Sequence, residues 1–314
     1  MKNINAVLER LSDWNNTFDF SKPVEINQDV SVYLNYYGLN TTGVDFHFGK
    51  VKTNGTKKLV QMFAPKQSKG TIFLLHGYLD HVGHLKQIIK FLNELHYTVI
   101  SYDLEGHGLS EGESASVERF SDYVKSLEQL LSRAKNEMSG PFYVIGHSTG
   151  GAIAIDYVLN NHDHVFDKVI LAAPLVHSEH WYGTVIGYYM AKIVPFLQEV
   201  KRKFRVNSSD EHYLKLRKID PLQSQAIPLD WVGAMLDWNR KLKSYPVTNT
   251  QTFVLQGNHD RTVAWRYNMK FLQKKFRRLT MVQIDHAQHA LFNESEEVRS
   301  LVFSFIRKFL QQEK

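Results

Sequence analysis

The stretch Phe142-Tyr143-Val144-Ile145-Gly146-His147-Ser148-Thr149-Gly150-Gly151 constrains the fold more than any other part of the chain. An apolar run stops at a Gly-x-Ser-x-Gly pentapeptide, and a second apolar segment, Ala152 to Leu159, follows it. A strand that turns this sharply into a helix holds its serine in strained backbone geometry, which only nearly side-chain-free positions such as Gly146 and Gly150 permit. The hydroxyl is thereby presented at the rim of a sheet beside a helix N-terminus, where the Thr149 amide is unpaired and the helix dipole favours negative charge. Ser148 is therefore the candidate nucleophile of a nucleophile elbow.

The rest of the chain has the rhythm that such an elbow requires. Short apolar runs at Thr71 to Leu75, Tyr97 to Tyr102, Phe142 to Ile145, Lys168 to Ala173, Thr252 to Leu255 and Thr280 to Ile284 read as strands buried on both faces. Helical patterns lie between them, with Phe120, Tyr123, Val124, Leu127, Leu130 and Leu131, and later Val298, Leu301, Val302, Phe305, Ile306 and Phe309, recurring at three and four. Upstream, Val30 to Pro65 mixes alternating segments with the turn signal Asn54-Gly55 and reads as antiparallel strands. The fold class expected is α/β, a mostly parallel doubly wound sheet with antiparallel N-terminal strands, whose ligand sits outside the carboxyl ends of its strands.

One interval breaks the rhythm. About 75 residues separate the strand ending near Leu175 from the one starting near Gln251, far more than an ordinary connection. Residues 176–246 are expected to form an inserted helical cap over a core made of residues 1–175 and 247–314. Its aromatic side chains Trp181, Tyr188, Trp231 and Trp238 are candidates to line an apolar substrate pocket, although some must form the insertion's own core.

A serine hydroxyl needs an imidazole to take its proton, and the imidazole needs a carboxylate to fix its tautomer. In elbow hydrolases these partners follow the serine in the order acid, then histidine. Gln256-Gly257-Asn258-His259-Asp260 places Asp260 just after a strand, with His259 and Asp285 as competitors, and Asp285-His286-Ala287-Gln288-His289 offers two histidines after the next strand. An oxyanion hole needs a second amide from the loop after an early strand; His76-Gly77-Tyr78 supplies Tyr78 to act with Thr149. His76 is read as orienting this loop by a hydrogen bond and is also carried as a candidate at the substrate pocket. A zinc site built from His76, His81, His84 and His107 is disfavoured because the histidines lack a compact ligand motif.

Together, His76-Gly77-Tyr78-Leu79-Asp80-His81, Asp103-Leu104-Glu105-Gly106-His107-Gly108 and Gly146-His147-Ser148-Thr149-Gly150-Gly151 resemble the monoacylglycerol lipase and lysophospholipase branch of the α/β-hydrolases, also called serine-aminopeptidase-like. The resemblance spans about Leu59 to Phe309. It implies Ser148 as nucleophile, Asp260 as acid, His289 in an Ala-x-His segment followed by Glu294 as base, and Tyr78 and Thr149 as oxyanion donors. The chain departs from the family pattern at Glu105 and His286. The activity implied is hydrolysis of long-chain carboxylic esters through an acyl-serine. The alternatives are a short-chain carboxylesterase or aminoacyl peptidase and, from another class, a non-catalytic receptor.

Composition sets the remaining expectations. With no cysteine, thiolate chemistry and disulfides are excluded, and the net charge of +6 is gathered in Lys201 to Arg205, Arg240 to Lys243 and Lys274 to Arg278. Solvated helix faces are the ordinary reading of such clusters; peripheral contact with an anionic membrane is the alternative, and no nucleic acid partner is expected. No cofactor or metal is implied. The absence of an apolar signal-like start points to the cytoplasm.

Overall fold

The computed structural model describes residues 4–161 and 163–312. Asn54 and Gly55 both adopt positive φ, 48° and 88°, and close the hairpin between β1 (Val44–Thr53) and β2 (Thr56–Pro65) with Thr53 opposite Thr56. β2 then pairs antiparallel with β4 (Thr98–Tyr102). From there the sheet is parallel through β3 (Thr71–Leu75), β5 (Phe142–His147), β6 (Phe166–Ala172), β9 (Gln251–Gly257) and β10 (Leu279–Ile284), in the order β1-β2-β4-β3-β5-β6-β9-β10.

Alternate side chains of these strands enter different cores. Phe73, Leu75, Val144 and Val169 pack on one face with α4 (Phe120–Glu137), α5 (Thr149–Asn160), α8 (Leu229–Leu242) and α9 (Trp265–Lys275). Ile72, Leu74, Ile145 and Ile170 pack on the other with α1 (Ile4–Asp13), α2 (Gln28–Tyr37), α3 (Lys86–Glu94) and α10 (Glu296–Gln311). This is why the central runs are apolar throughout, without a polar alternate. At about 1.5–3 kcal/mol for each fully buried large aliphatic or aromatic side chain, these two layers supply the main force holding the strand ends, and hence the site, in register. α4 buries Phe120, Tyr123, Leu127, Leu130 and Leu131 as the spacing predicts, whereas in α10 the stripe is narrower and Leu301 is exposed.

Two expectations need correction. The N-terminal strands begin at Val44, because Gln28–Tyr37 is helical: the Asn27 side chain caps the Val30 amide and Gly38 ends the helix at φ 69°. Val30, Tyr33, Leu34 and Tyr37, which the alternating reading assigned to strand, are the buried stripe of that helix. The insertion is also not purely helical. Besides α6 (Trp181–Ile193), α7 (Glu211–Ile219) and α8, it carries a short antiparallel ribbon of β7 (Glu199–Lys201) and β8 (Ala226–Pro228).

Candidate active site

Ser148 follows β5 directly and has φ 52° and ψ −113°, a conformation that costs a non-glycine residue on the order of 1–3 kcal/mol. Its neighbours show why they must be glycines. A Cβ on Gly146 would lie 2.4 Å from the Gly150 carbonyl oxygen, and one on Gly150 would lie 2.3 Å from the carbonyl oxygen of Leu75 on β3. The elbow is therefore wedged between its own helix and the adjacent strand, and its amide is anchored to the Ala172 carbonyl at 3.0 Å.

The structure brings the sequence candidates together. His289 Nε2 lies 2.9 Å from Ser148 Oγ, and His289 Nδ1 lies 2.7 Å from Asp260 Oδ2. All three side chains are buried. With Nδ1–H donated to the carboxylate, Nε2 is free to accept the serine proton. Asp260 is further held by the amides of Thr262 and Val263 on Oδ1 and by Gln256 Nε2 on Oδ2. Burial alone would raise its pKa, but the adjacent His289 and these donors outweigh it and hold the carboxyl below its usual range, so it is ionised at neutral pH. The competitors lie elsewhere: His286 and Asp285 are exposed and bind Asn258, and His259 is exposed against the His286 ring. His147 packs 4.9 Å from the His289 ring, and its Nε2 donates to the His289 carbonyl at 2.9 Å; burial and the neighbouring imidazole lower its pKa to about 4 and keep it neutral.

The loop after β3 lies against the elbow, with Gly77 so near that a Cβ there would meet Ser148 Cβ at 3.2 Å. Among the described residues neither the Tyr78 nor the Thr149 amide donates a hydrogen bond. The Tyr78 side chain turns away, donating to the Ala115 carbonyl at 2.8 Å and stacking on Trp231 at 3.6 Å. His76 is fully buried: Nδ1 donates to the Gly77 carbonyl at 2.8 Å and Nε2 accepts the Leu104 amide at 2.9 Å. Burial and nearby His107 lower its pKa to about 3, which fixes the neutral tautomer that spans the loops after β3 and β4.

A cavity of about 570 Å³ opens over Ser148 and His289 and is lined from the insertion by Tyr188, Trp231, Val232 and Met235. The other three pocket candidates do not reach it. His76 is enclosed as described. Trp181 stacks on the His177 ring at 4.0 Å, as Tyr267 does at 3.8 Å, and is not among the residues lining the cavity. Trp238 is buried against Phe120, and its Nε1 donates to Asp156 at 2.7 Å. Both tryptophans serve the packing of the insertion onto the core, which periodicity alone does not distinguish from a pocket wall. Glu105, one of the departures from the family pattern, is paired with Lys58 at 2.9 Å and does not line the cavity.

Sequence reasoning missed a buried joint that ties the segment after α7 to the loop after β3. Asp220, just after α7, lies 2.7 Å from both His81 Nε2 and His84 Nε2, and accepts the Tyr37 hydroxyl at 2.8 Å; Asp80 takes His84 Nδ1 at 2.7 Å. These groups are buried, and both His84 nitrogens face carboxylates. Burial works against protonation of His84, but Asp80 and Asp220 prevail and raise its pKa to about 9. His81 and His84 thus meet Asp220 rather than His76 and His107, and each pair sits at hydrogen-bond distance. An Asp-Pro dipeptide inside an insertion gives no sign that its carboxylate will be buried on two histidines 136 and more residues earlier.

Residues 66–296 match the family described as Serine aminopeptidase, S33. A monoglyceride lipase homologue of Monkeypox virus is 27% identical over 247 residues, covering 77% of this chain and 89% of the viral protein. Monoglyceride lipase of Homo sapiens is 28% identical over 252 residues, covering 78% of this chain and 83% of the human one. Among solved structures, a soluble variant of monoglyceride lipase from Saccharomyces cerevisiae in complex with a substrate analog shares the fold, with a TM-score of 0.71 at 19% identity over 83% of this chain and 94% of the yeast one. With a family match across about three quarters of its length and the elbow serine in place, the chain belongs to the Serine aminopeptidase, S33 family of α/β-hydrolases and is a serine ester hydrolase.

Proposed function

We propose that the protein hydrolyses the carboxylic ester of a lipid bearing one long acyl chain, of the lysophospholipase or monoacylglycerol lipase type, through an acyl-serine intermediate. The observation that carries this reading is the unbroken line from Asp260 through His289 to Ser148 at the floor of a largely apolar cavity. His289 takes the Ser148 proton as Oγ attacks the ester carbonyl. The Tyr78 and Thr149 amides receive the charge that develops on the carbonyl oxygen, a contribution on the order of 3–4 kcal/mol per donor in comparable sites. His289 then protonates the departing alcohol and activates the water that releases the acid. The names of the monoglyceride lipase relatives support the lipid class.

Residues 176–246 act as the cap and residues 1–175 with 247–314 as the core. Tyr182, Ile186, Tyr189, Met190, Ile193 and Phe196 form an exposed apolar ridge on the cap, Phe196 being fully exposed. With Lys192, Lys201, Lys203 and Arg205 nearby in the chain, this ridge suits peripheral contact with an anionic membrane surface from the cytoplasmic side. Among the described residues no helix is long and apolar enough to cross a membrane. The aminopeptidase reading that the family's description invites has less support, because the charged side chains around the cavity are mostly cationic and would repel a free N-terminal amine.

Labelling with a fluorophosphonate probe and turnover of glycerol and aryl esters of increasing chain length test the proposal, with Ser148→Ala as control. Labelling that needs Ser148 and turnover that rises with acyl length are expected. Selective cleavage of aminoacyl amides would overturn it.

A further inference from the structure

One wall of the cavity is cationic, and among the described residues no carboxylate is ion-paired to it. Lys201, Arg202, Lys203 and Arg205, from β7 and the segment after it, line the space above Ser148 together with Arg217 of α7. Among the described residues none of these five forms an ion pair with a carboxylate. The two guanidinium groups nearest the interior are positioned by neutral oxygens: Arg202 Nη1 donates to the Ser224 carbonyl at 3.0 Å, and Arg217 Nη1 donates to Asn207 Oδ1 at 3.1 Å. Arg217 also lies over the Phe204 ring at 5.5 Å.

Arg202 Nη2 is buried and has no hydrogen-bond partner. Burial first, and then repulsion from Arg217, lower the Arg202 pKa to about 10, against weaker attraction from Asp80, Tyr213 and Tyr78. Asp80, which lines the same cavity, attracts Arg202 from a distance but forms no ion pair with it, and its Oδ1 is held by His84 and by the His81 amide. A desolvated guanidinium N–H with no acceptor is a costly arrangement unless a ligand supplies one. A neutral glycerol head would leave the charge unmatched, whereas a phosphate offers oxygens that two guanidinium forks can share.

We infer that Arg202 and Arg217 form a phosphate subsite for the head group of the substrate, so that the preferred lipid is a monoacyl glycerophospholipid rather than a neutral monoacylglycerol. Lys201, Lys203 and Arg205 form the cationic approach to it. The inference rests on the acyl-ester reading above and narrows its substrate class.

The test compares kcat/KM for oleoyl glycerol and for its phosphate monoester, which differ only in the phosphate, in neutral detergent micelles. The wild-type protein is expected to prefer the phosphate ester. Arg202→Gln should lower that preference by at least about 10-fold, the double change with Arg217→Gln by more, and Arg202→Lys, which keeps the charge but loses the fork, by less. Equal loss on both lipids, or no preference in the wild type, would overturn the subsite while leaving the acyl-ester reading intact.

If neither lipid is turned over although a short aryl ester is cleaved in a Ser148-dependent manner, the acyl-ester reading itself fails. Calorimetric binding of the phosphate ester to Ser148→Ala, with and without Arg202→Gln, then decides the subsite separately: binding weakened by the second change supports it, and unchanged binding overturns it. Inorganic phosphate is the remaining arm. Inhibition by inorganic phosphate as strong as that by glycerol phosphate would indicate a site for the free ion and overturn the head-group assignment.

Discussion

A Cβ on Gly257 would lie 2.3 Å from the carbonyl oxygen of Ala287 and 2.4 Å from that of Gln288. The end of β9 and the segment before His289 are therefore in backbone contact, and this contact sets the spacing of Asp260 and His289, whose side chains meet at 2.7 Å. Gly257→Ala must push the two segments apart. Since a misplacement of about 1 Å in a catalytic group costs roughly 10²-fold, kcat on a short aryl ester should fall by about that factor with the circular dichroism spectrum preserved. Retention of near-normal kcat would show that the loops yield without moving the imidazole.

Asp260→Asn keeps the shape of the side chain but offers an amide in place of an ionised carboxylate. It favours the wrong imidazole tautomer, so kcat should drop by about 10⁴. His289→Ala should cost on the order of 10⁶, whereas the exposed His286→Ala should stay close to wild type. Steady-state turnover of the three variants checks the assignment, and an inactive His286→Ala with an active His289→Ala would reverse it.

The His84 joint makes stability depend on pH at both ends. His84 has a folded pKa of about 9, above the ordinary 6.5, so its contribution is complete below about pH 6.5 and is lost as pH rises through 9. Asp80 and Asp220 are shifted the other way: burial resists their ionisation, but the histidines win, so their contribution is present above about pH 4 and lost on further acidification. Urea midpoints measured across this range should form a plateau between about pH 4.5 and 6.5, with a decline on the alkaline side that His84→Gln flattens. That variant should also be destabilised by roughly 3–5 kcal/mol, because it leaves buried carboxylates without their cation.

Trp238→Phe removes the indole donor to Asp156, whose buried carboxyl also accepts from Tyr245 at 3.1 Å and Asn160 at 3.1 Å. Stability should fall by about 1–3 kcal/mol in chemical denaturation. Ester turnover should be little affected, since Trp238 does not line the cavity.

What the sequence revealed, and what it concealed, follows from the range of the interactions involved. The elbow, the strand order of the chemistry and the buried parallel strands are local patterns: glycines flanking Ser148, apolar runs of five to seven residues, and polar residues just after them. Those are readable because each strand's carboxyl end faces the same rim. Tyr33, Leu34 and Tyr37 suit either a strand or a helix stripe, and only the Asn27 cap and the Gly38 stop separate the two in α2. The roles of Trp181, Trp238 and His76 depend on which distant segment each meets, namely Tyr267 through the intervening His177 ring, Asp156 and Leu104. The same holds for Arg202, which the sequence shows only as part of a basic run, and for Arg217, which no sequence pattern singles out; both line one cavity only once β7 and α7 are folded.

The dry knot of Asp220 with His81 and His84 ties one flank of the insertion to the segment immediately after Tyr78. Lifting this flank away would break the contacts of Asp220 with His81, His84 and Tyr37 together, so residues around Asp220 are the anchored end of the segment between β6 and β9.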